Sequence, residues 1–159
     1  MVCMKPVIRK RITQKEREYV YNLCDGHCAY CGKEITKKEM QVDHYLSHEF
    51  GYAIAQDKGE IDSLDNYLPS CRSCNYRKSG SHVENFRANI CRLHFVLMRD
   101  SVTYRDAVRF GQVIPNEHVQ QFYFEKIGLH IPAMEWDKDF REMMHNAHFK
   151  EVEQGGCAE

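Results

Sequence analysis

Two Cys-x-x-Cys pairs constrain this chain more than any other feature. Cys28 and Cys31 form the first pair, and Cys71 and Cys74 form the second. This spacing lets both sulfurs of a pair reach one ion, and four thiolates suit a tetrahedral structural Zn²⁺. The 39 residues between Cys31 and Cys71 exceed the gap of a compact zinc ribbon. The sequence therefore predicts a zinc site with further structure built inside the loop.

The composition is that of a soluble globular domain. The chain has 159 residues, 43% hydrophobic and 28% charged, which is enough to bury a core without disulfides. No apolar run approaches the roughly 18 residues of a membrane span, and residues 1–11 lack a signal-peptide core. We therefore expect a cytoplasmic protein without a membrane partner. In that reducing compartment the remaining cysteines are interpreted as free thiols, with Cys24 a buried apolar residue: Cys3, Cys24, Cys91 and Cys157.

Charge is distributed unevenly along the chain. The net charge is only -1, so the total says nothing about a nucleic-acid partner. Residues 1–33 and 66–99 are basic, whereas the chain from Glu135 onward is acidic. This split predicts a basic side that faces phosphates, and ordinary solvated helix faces explain it equally well.

A second set of chemically active residues lies within and just after the cysteine-bracketed loop. Asp43 and His44 are adjacent, Asn66 follows later, and Asn75 comes directly after the last cysteine. Carboxylate and amide oxygens suit Mg²⁺, and a neutral imidazole accepts a proton near pH 7. These are the groups that metal-assisted phosphodiester hydrolysis needs.

Residues 24–80 resemble the HNH nuclease family, whose zinc-bearing members bracket the same motif with two Cys-x-x-Cys knuckles. The resemblance implies an α+β fold, a zinc-braced ββα-metal core with appended helices. It also implies a metal-dependent endonuclease acting on nucleic acid, most often DNA. In this family pattern His44 is the general base and Asn66 holds the loop that carries it. Asp43 and Asn75 are then the ligands of a catalytic Mg²⁺ or Mn²⁺, beside the structural Zn²⁺.

The chain departs from the family's namesake pattern at two points. The third motif residue is Asn75 instead of histidine, which favours Mg²⁺ or Mn²⁺ as the cation. The segment between His44 and Asn66 is long and leaves the roles of three residues open: His48, Glu49 and Asp62. We interpret His48 as an exposed loop histidine, because a lone histidine carries little metal information. Phosphate contacts are expected from the basic side chains of the motif helix: Arg72, Arg77 and Lys78.

Local patterns predict the order of the elements. A capping box at Thr13–Glu16 opens a short helix, a strand spans residues 40–45, and a second short strand covers residues 66–69. After Cys74 a helix places Asn75, Lys78 and Ser79 on one face. A capping box at Ser81–Glu84 begins a longer helix with a core stripe to Leu97, and another helix covers residues 103–110. Residues 122–124 favour a strand, and the chain is weakly helical from Met134.

These patterns divide the chain into four parts. We expect a basic arm and helix in residues 1–23, the nuclease core in 24–80, a mostly helical extension in 81–150 and a disordered tail in 151–159. Two other functions fit part of the pattern. A zinc-containing nucleic-acid-binding module without cleavage would share the thiolates and basic residues, but does not explain why Asp43, His44, Asn66 and Asn75 occur together. A thiol redox sensor would need exposed cysteines of low pKa.

Overall fold

A computed structural model describes residues 10–49, 51, 60–115 and 120–153, with side chains described as far as residue 147. Residues 1–9, which begin the predicted basic arm, and residues 154–159 of the predicted tail lie outside the described residues. Within them the chain forms one two-stranded sheet surrounded by helices: α1 (Gln14–Asn22), β1 (Gln41–His44), β2 (Tyr67–Ser70), α2 (Arg72–Lys78), α3 (Val83–Cys91), α4 (Leu93–Asp100), α5 (Val102–Arg109), α6 (Tyr123–Lys126), α7 (Ala133–Trp136) and α8 (Lys138–Glu153).

The first helix begins at the predicted capping box. The Thr13 hydroxyl accepts a hydrogen bond from the Glu16 amide at 3.2 Å, and the Glu16 carboxylate accepts one from the Thr13 amide at 2.7 Å. These bonds satisfy two amides that have no partner within the helix. Val20, on the apolar side of α1, is buried in the core. After the helix the chain turns through Asp25 and Gly26, both with positive φ. The turn directs the chain into the first pair of cysteines.

The two strands form the antiparallel hairpin on which the candidate site is built. The register places His44 opposite Tyr67 and Asp43 opposite Leu68. A single 3-10 turn at Leu64–Asn66 precedes β2, and α2 follows it after Cys71. The order strand, strand, helix confirms the predicted ββα core.

The single long helix predicted after residue 82 is two helices. α3 ends at Cys91 and α4 begins at Leu93, and no residue of α4 is buried. The predicted core stripe is therefore correct for Val83 and Phe86, which are buried, and wrong for Leu97, which is 38% exposed. The cap of α3 also differs, since the His82 side chain, not Ser81, accepts a hydrogen bond from the Glu84 amide at 3.2 Å.

The strand predicted at residues 122–124 is wrong. Phe122 is the N-terminal cap of α6, and its amide donates to the Glu125 carboxylate at 2.8 Å. Phe122 and Phe124 are buried against Tyr30, with ring centroids at 5.4 and 6.3 Å. Packing of the aromatic rings on the first cysteine knuckle, not strand pairing, therefore explains this aromatic run. α8 continues to Glu153, two residues past the position where the predicted tail begins.

Buried polar and charged side chains connect the helices of the extension. Arg87 of α3 donates to Glu84 at 2.8 Å and to Glu125 at 2.6 Å. His82 contacts Asp137 at 2.8 Å, and both side chains are fully buried. These contacts hold parts of the extension to one another. The extension is joined to the first cysteine knuckle by the amides of Tyr123 and Phe124, which donate to the carbonyls of Tyr30 and Ala29 at 3.0 and 2.8 Å. None of the helices in the described ranges has both the length and the apolar character that a bilayer crossing requires.

Candidate metal centre and active site

The four motif cysteines converge on one point. Their sulfurs all lie within 4.8 Å of one another, and the sulfurs of Cys31 and Cys71 are 3.9 Å apart. Sulfurs that bind Zn²⁺ tetrahedrally at about 2.3 Å lie about 3.8 Å from each other. The donor set and its spacing therefore fit a structural zinc ion.

Hydrogen bonds within the cysteine cluster favour the thiolate of Cys28. A hydrogen bond from Cys74, opposed by burial and assisted by the amides of Cys31, Cys71 and Tyr30, lowers the pKa of Cys28 to about 5. The sulfur of Cys71 also caps α2 by accepting from the Cys74 amide at 3.4 Å. The second knuckle thus forms the start of the motif helix, so that zinc and α2 are positioned together. Cys24 is buried outside the cluster, as predicted.

His44 lies at the end of β1, where it contacts a carboxylate from the following loop. Its Nε2 is 2.7 Å from Oδ1 of Asp62, and its ring packs edge-on against Tyr67 at 4.9 Å. Burial, aided by the nearby His48 and opposed by Asp62, lowers the pKa of His44. His44 is therefore neutral near pH 7 and able to accept a proton.

His48 belongs to the same cluster, so its interpretation as an exposed loop histidine is wrong. Its side chain is only 20% exposed, and Nε2 lies 3.1 Å from the same Oδ1 of Asp62. The rings of His44 and His48 are 4.8 Å apart. A helical turn that begins at residue 48 returns the histidine toward the strand. The donor atoms of His44, His48 and Asp62 all lie within 4.8 Å of one another.

Asn66 ties the backbone after His44 to the turn before β2. Its Oδ1 accepts from the Leu46 amide at 2.8 Å, and its Nδ2 donates to the carbonyls of Leu46 and Ile61 at 2.9 and 3.0 Å. Asn66 is fully buried. Because Ile61 precedes Asp62 directly, one amide side chain holds the backbone on both sides of the His44–Asp62 contact.

The surroundings of Asp43 differ from those of a metal ligand. Its carboxylate is buried, accepts a hydrogen bond from the Tyr30 hydroxyl through Oδ2, and lies 3.1 Å from Nζ of Lys78. A divalent cation at Asp43 would lie near a buried ammonium, and like charges repel strongly at low dielectric. Asp43 in this arrangement does not fit a cation site, and Asn75 on α2 supplies only a half-buried neutral amide.

Lys78 is not available for the predicted phosphate contact. Its side chain is fully buried, and its ammonium donates to the His44 carbonyl at 2.7 Å in addition to pairing with Asp43. Lysine is buried in this way only where its charge is compensated. Lys78 therefore stabilises the end of β1 by contacts to both Asp43 and His44. Ser79, predicted on the same helix face, lies beyond the end of α2 with a positive φ of 49°.

The outer face of α2 remains accessible to a nucleic acid. Arg72 and Arg77 are exposed, and Tyr76 between them is 85% exposed. Arg72 and Tyr76 line an open groove together with Lys33 and Gln41. Basic and aromatic side chains on one surface suit phosphates and bases.

The sequence analysis assigned no role in the site to His48 or Asp62, because no motif in the sequence identifies either residue. His48 is four residues after His44, but His44 ends a strand, so the spacing of a helix does not relate the two side chains. Asp62 is 18 residues from His44 and is brought to it by the loop and by Asn66. Only the tertiary structure shows that contact.

Comparison with known proteins supports the resemblance found in the motif. A family model described as HNH endonuclease matches residues 28–81, about a third of the chain. No curated protein and no solved structure matches the chain. The matched range starts at the first knuckle cysteine and ends just after α2, so it includes the four cysteines, both strands and the motif helix. Residues 28–81 therefore match the HNH endonuclease family, and their four cysteines are placed as a structural zinc site requires.

Proposed function

We propose that this chain is a metal-dependent endonuclease that hydrolyses phosphodiester bonds in nucleic acid, with DNA as the favoured substrate. The observation that carries the proposal is the contact of His44 with Asp62 inside an HNH-family domain. A nucleic-acid-binding module has no need of a half-buried, neutral imidazole oriented by a carboxylate. The preference for DNA rests on the family resemblance.

His44 is proposed to accept the proton of the attacking water. If Nε2–H donates to Asp62, the lone pair is on Nδ1, and Nδ1 is the atom that takes the proton. The carboxylate fixes this tautomer and stabilises the imidazolium that forms. The water oxygen then bonds to phosphorus, the bond from phosphorus to the leaving sugar oxygen breaks, and that oxygen takes a proton from solvent water.

Two buried side chains are proposed as positioning residues for this step. Lys78 holds the carbonyl of His44, and Asn66 holds the backbone at Leu46 and Ile61. Because a small misplacement of a reacting group costs much of the rate, both contacts matter although neither side chain touches the substrate.

Arg72 and Arg77 are proposed to bind the phosphates of the nucleic acid. Both guanidinium groups are exposed on α2, the helix that follows the strand opposite His44. When bound, a divalent cation such as Mg²⁺ or Mn²⁺ would offset the negative charge that the phosphate gains.

A cleavage assay across substrates and cations tests the proposal. Purified, zinc-loaded protein is incubated with supercoiled plasmid and with circular single strands, in Mg²⁺, in Mn²⁺ or in EDTA. We expect cleavage of at least one substrate that requires the added cation. Retention of DNA in a binding assay with both substrates intact under every condition would instead support the binding module.

A further inference from the structure

The side chains that follow β1 contain a second set of metal-binding donors, separate from the four cysteines. Oδ1 of Asp62 lies 3.1 Å from Nε2 of His48 and 2.7 Å from Nε2 of His44. The three side chains are between 16% and 24% exposed, and both ring nitrogens of His48 are buried, so the donors are shielded from bulk solvent. Two imidazoles that share one carboxylate oxygen form a compact group of N and O donors.

We propose that His48 and Asp62 bind the divalent cation of this chain, in place of the Asp43 and Asn75 pair that the family pattern implies. This inference rests on the proposed function, because it identifies the cation site of the same reaction. His44 lies directly beside the pair and keeps its role as the proton acceptor.

The two alternative sites differ in electrostatics. The carboxylate of Asp43 is already paired with the buried ammonium of Lys78 at 3.1 Å and bonded to Tyr30. Asp62 has no such cation beside it among the described residues, and its contacts are His44, His48 and the Lys10 amide, which donates to Oδ2 at 3.3 Å. A divalent cation is therefore attracted to Asp62, whereas at Asp43 it meets a charge that has been neutralised.

The chemistry of the donors identifies the class of cation. Mg²⁺ prefers a shell made of oxygens, whereas one imidazole nitrogen with one carboxylate favours first-row transition metals such as Mn²⁺ or Co²⁺. Two protein ligands are enough for a cation that keeps several waters.

A nearby buried hydroxyl is consistent with water or an ion at this place. The Tyr67 hydroxyl has no hydrogen-bond partner among the described residues, although Tyr67 is only 2% exposed. Its ring packs against His44 at 4.9 Å. Buried polar groups of this kind are normally satisfied by protein or ordered water, and a hydrated cation brings such water.

Direct measurement of Mn²⁺ binding tests the inference without relying on activity. The loss of the free Mn²⁺ signal in electron paramagnetic resonance is titrated for zinc-loaded parent, His48→Ala and Asp62→Asn. We expect each variant to weaken Mn²⁺ binding by at least about tenfold. His130→Ala is the matched control, because His130 lies 3.2 Å from Glu135 in an exposed imidazole–carboxylate pair that has no third donor among the described residues. Zinc content and melting temperature are compared in every variant, and Asp62→Asn preserves the shape of the side chain.

Two results separate this inference from the proposed function. Unchanged Mn²⁺ affinity in both His48→Ala and Asp62→Asn, with loss of affinity in Asn75→Ala, would overturn the site while leaving a nuclease possible. A parent that binds Mn²⁺ through His48 and Asp62 yet cleaves no substrate would support the site and contradict the nuclease.

Discussion

At the scale of single residues, Lys78 shows how burial changes the role of a charge. From sequence it is a basic residue of a nucleic-acid-binding helix, and in the structure it is fully buried between Asp43 and the His44 carbonyl. The ammonium therefore stabilises the strand that carries His44. We expect Lys78 to affect the position of the His44 imidazole and not the affinity for a substrate.

Replacement of Lys78 by methionine tests this role. Lys78→Met leaves the Asp43 carboxylate buried without its cation, a change that typically costs about 3–5 kcal/mol of unfolding free energy. We expect urea unfolding to show a loss of this size. Arg77→Met on the same helix is the control, since Arg77 is exposed, and its effect should stay within about 0.5 kcal/mol. The double change Asp43→Asn with Lys78→Met should recover part of the loss, and no recovery would contradict the pairing.

At the scale of elements, the sequence predicted correctly the helices and strands that depend on interactions between residues close in the chain. The capping box of α1, the strand before His44, the second strand and the cysteine-capped helix depend on residues close in the chain, and all are present. The strand prediction for residues 122–124 was wrong, because their aromatic side chains pack on Tyr30. That contact joins residues more than 90 positions apart in the chain. The break between α3 and α4 has no comparable signal, because apolar spacing continues across Arg92.

The candidate site follows the same rule. His44, Asn66 and the cysteines are recognised by motif, but the contacts of Asp62 and His48 depend on how the loop between the strands folds back. The burial of Lys78 depends on the position of α2 against β1. Motif residues can therefore be named from sequence, whereas their partners need the packed structure.

The first cysteine knuckle and the start of α2 are predicted to depend on zinc. Cys74→Ser removes one of four thiolates from a site whose apparent binding free energy in small modules is about 10–16 kcal/mol, more than the stability of most domains. We expect elemental analysis to give one zinc per parent chain and none in the variant, with loss of cooperative thermal unfolding. Cys91→Ser is the control, because Cys91 lies outside the cluster, and it should retain both zinc and folding. Parent protein that is folded but free of zinc would contradict the assignment.

At the scale of the whole molecule, buried ion pairs connect the helices of the extension with one another. Burial acts to raise the pKa of Glu84, but hydrogen bonds and charge from Arg87 and His145 outweigh it and lower that pKa. A carboxyl whose folded pKa is depressed stabilises the fold above its unfolded pKa, and this contribution is lost as the pH falls through the folded pKa. The ion pairs of Glu84 in α3 should therefore make the stability of the extension fall at acid pH.

Acid unfolding of Glu84→Gln tests this link. We expect the parent to lose unfolding free energy below about pH 4.5, the ordinary value for glutamate. The variant should be less stable at pH 7 and should lose less free energy between pH 5 and pH 3. Glu142→Gln, at an exposed position of α8, serves as the control and should follow the parent. Parallel curves for parent and Glu84→Gln would show that Glu84 does not contribute to the acid transition.

The central claim is that His44 makes this HNH domain a nuclease. The most direct measurement is the single-turnover rate of plasmid nicking by parent, His44→Ala and His130→Ala, each with equal zinc content and melting temperature. A positioned general base contributes about 10² to 10⁴-fold to a rate. We predict a loss of that size in His44→Ala and the parent rate in His130→Ala. Nicking at the parent rate by folded His44→Ala would contradict the account.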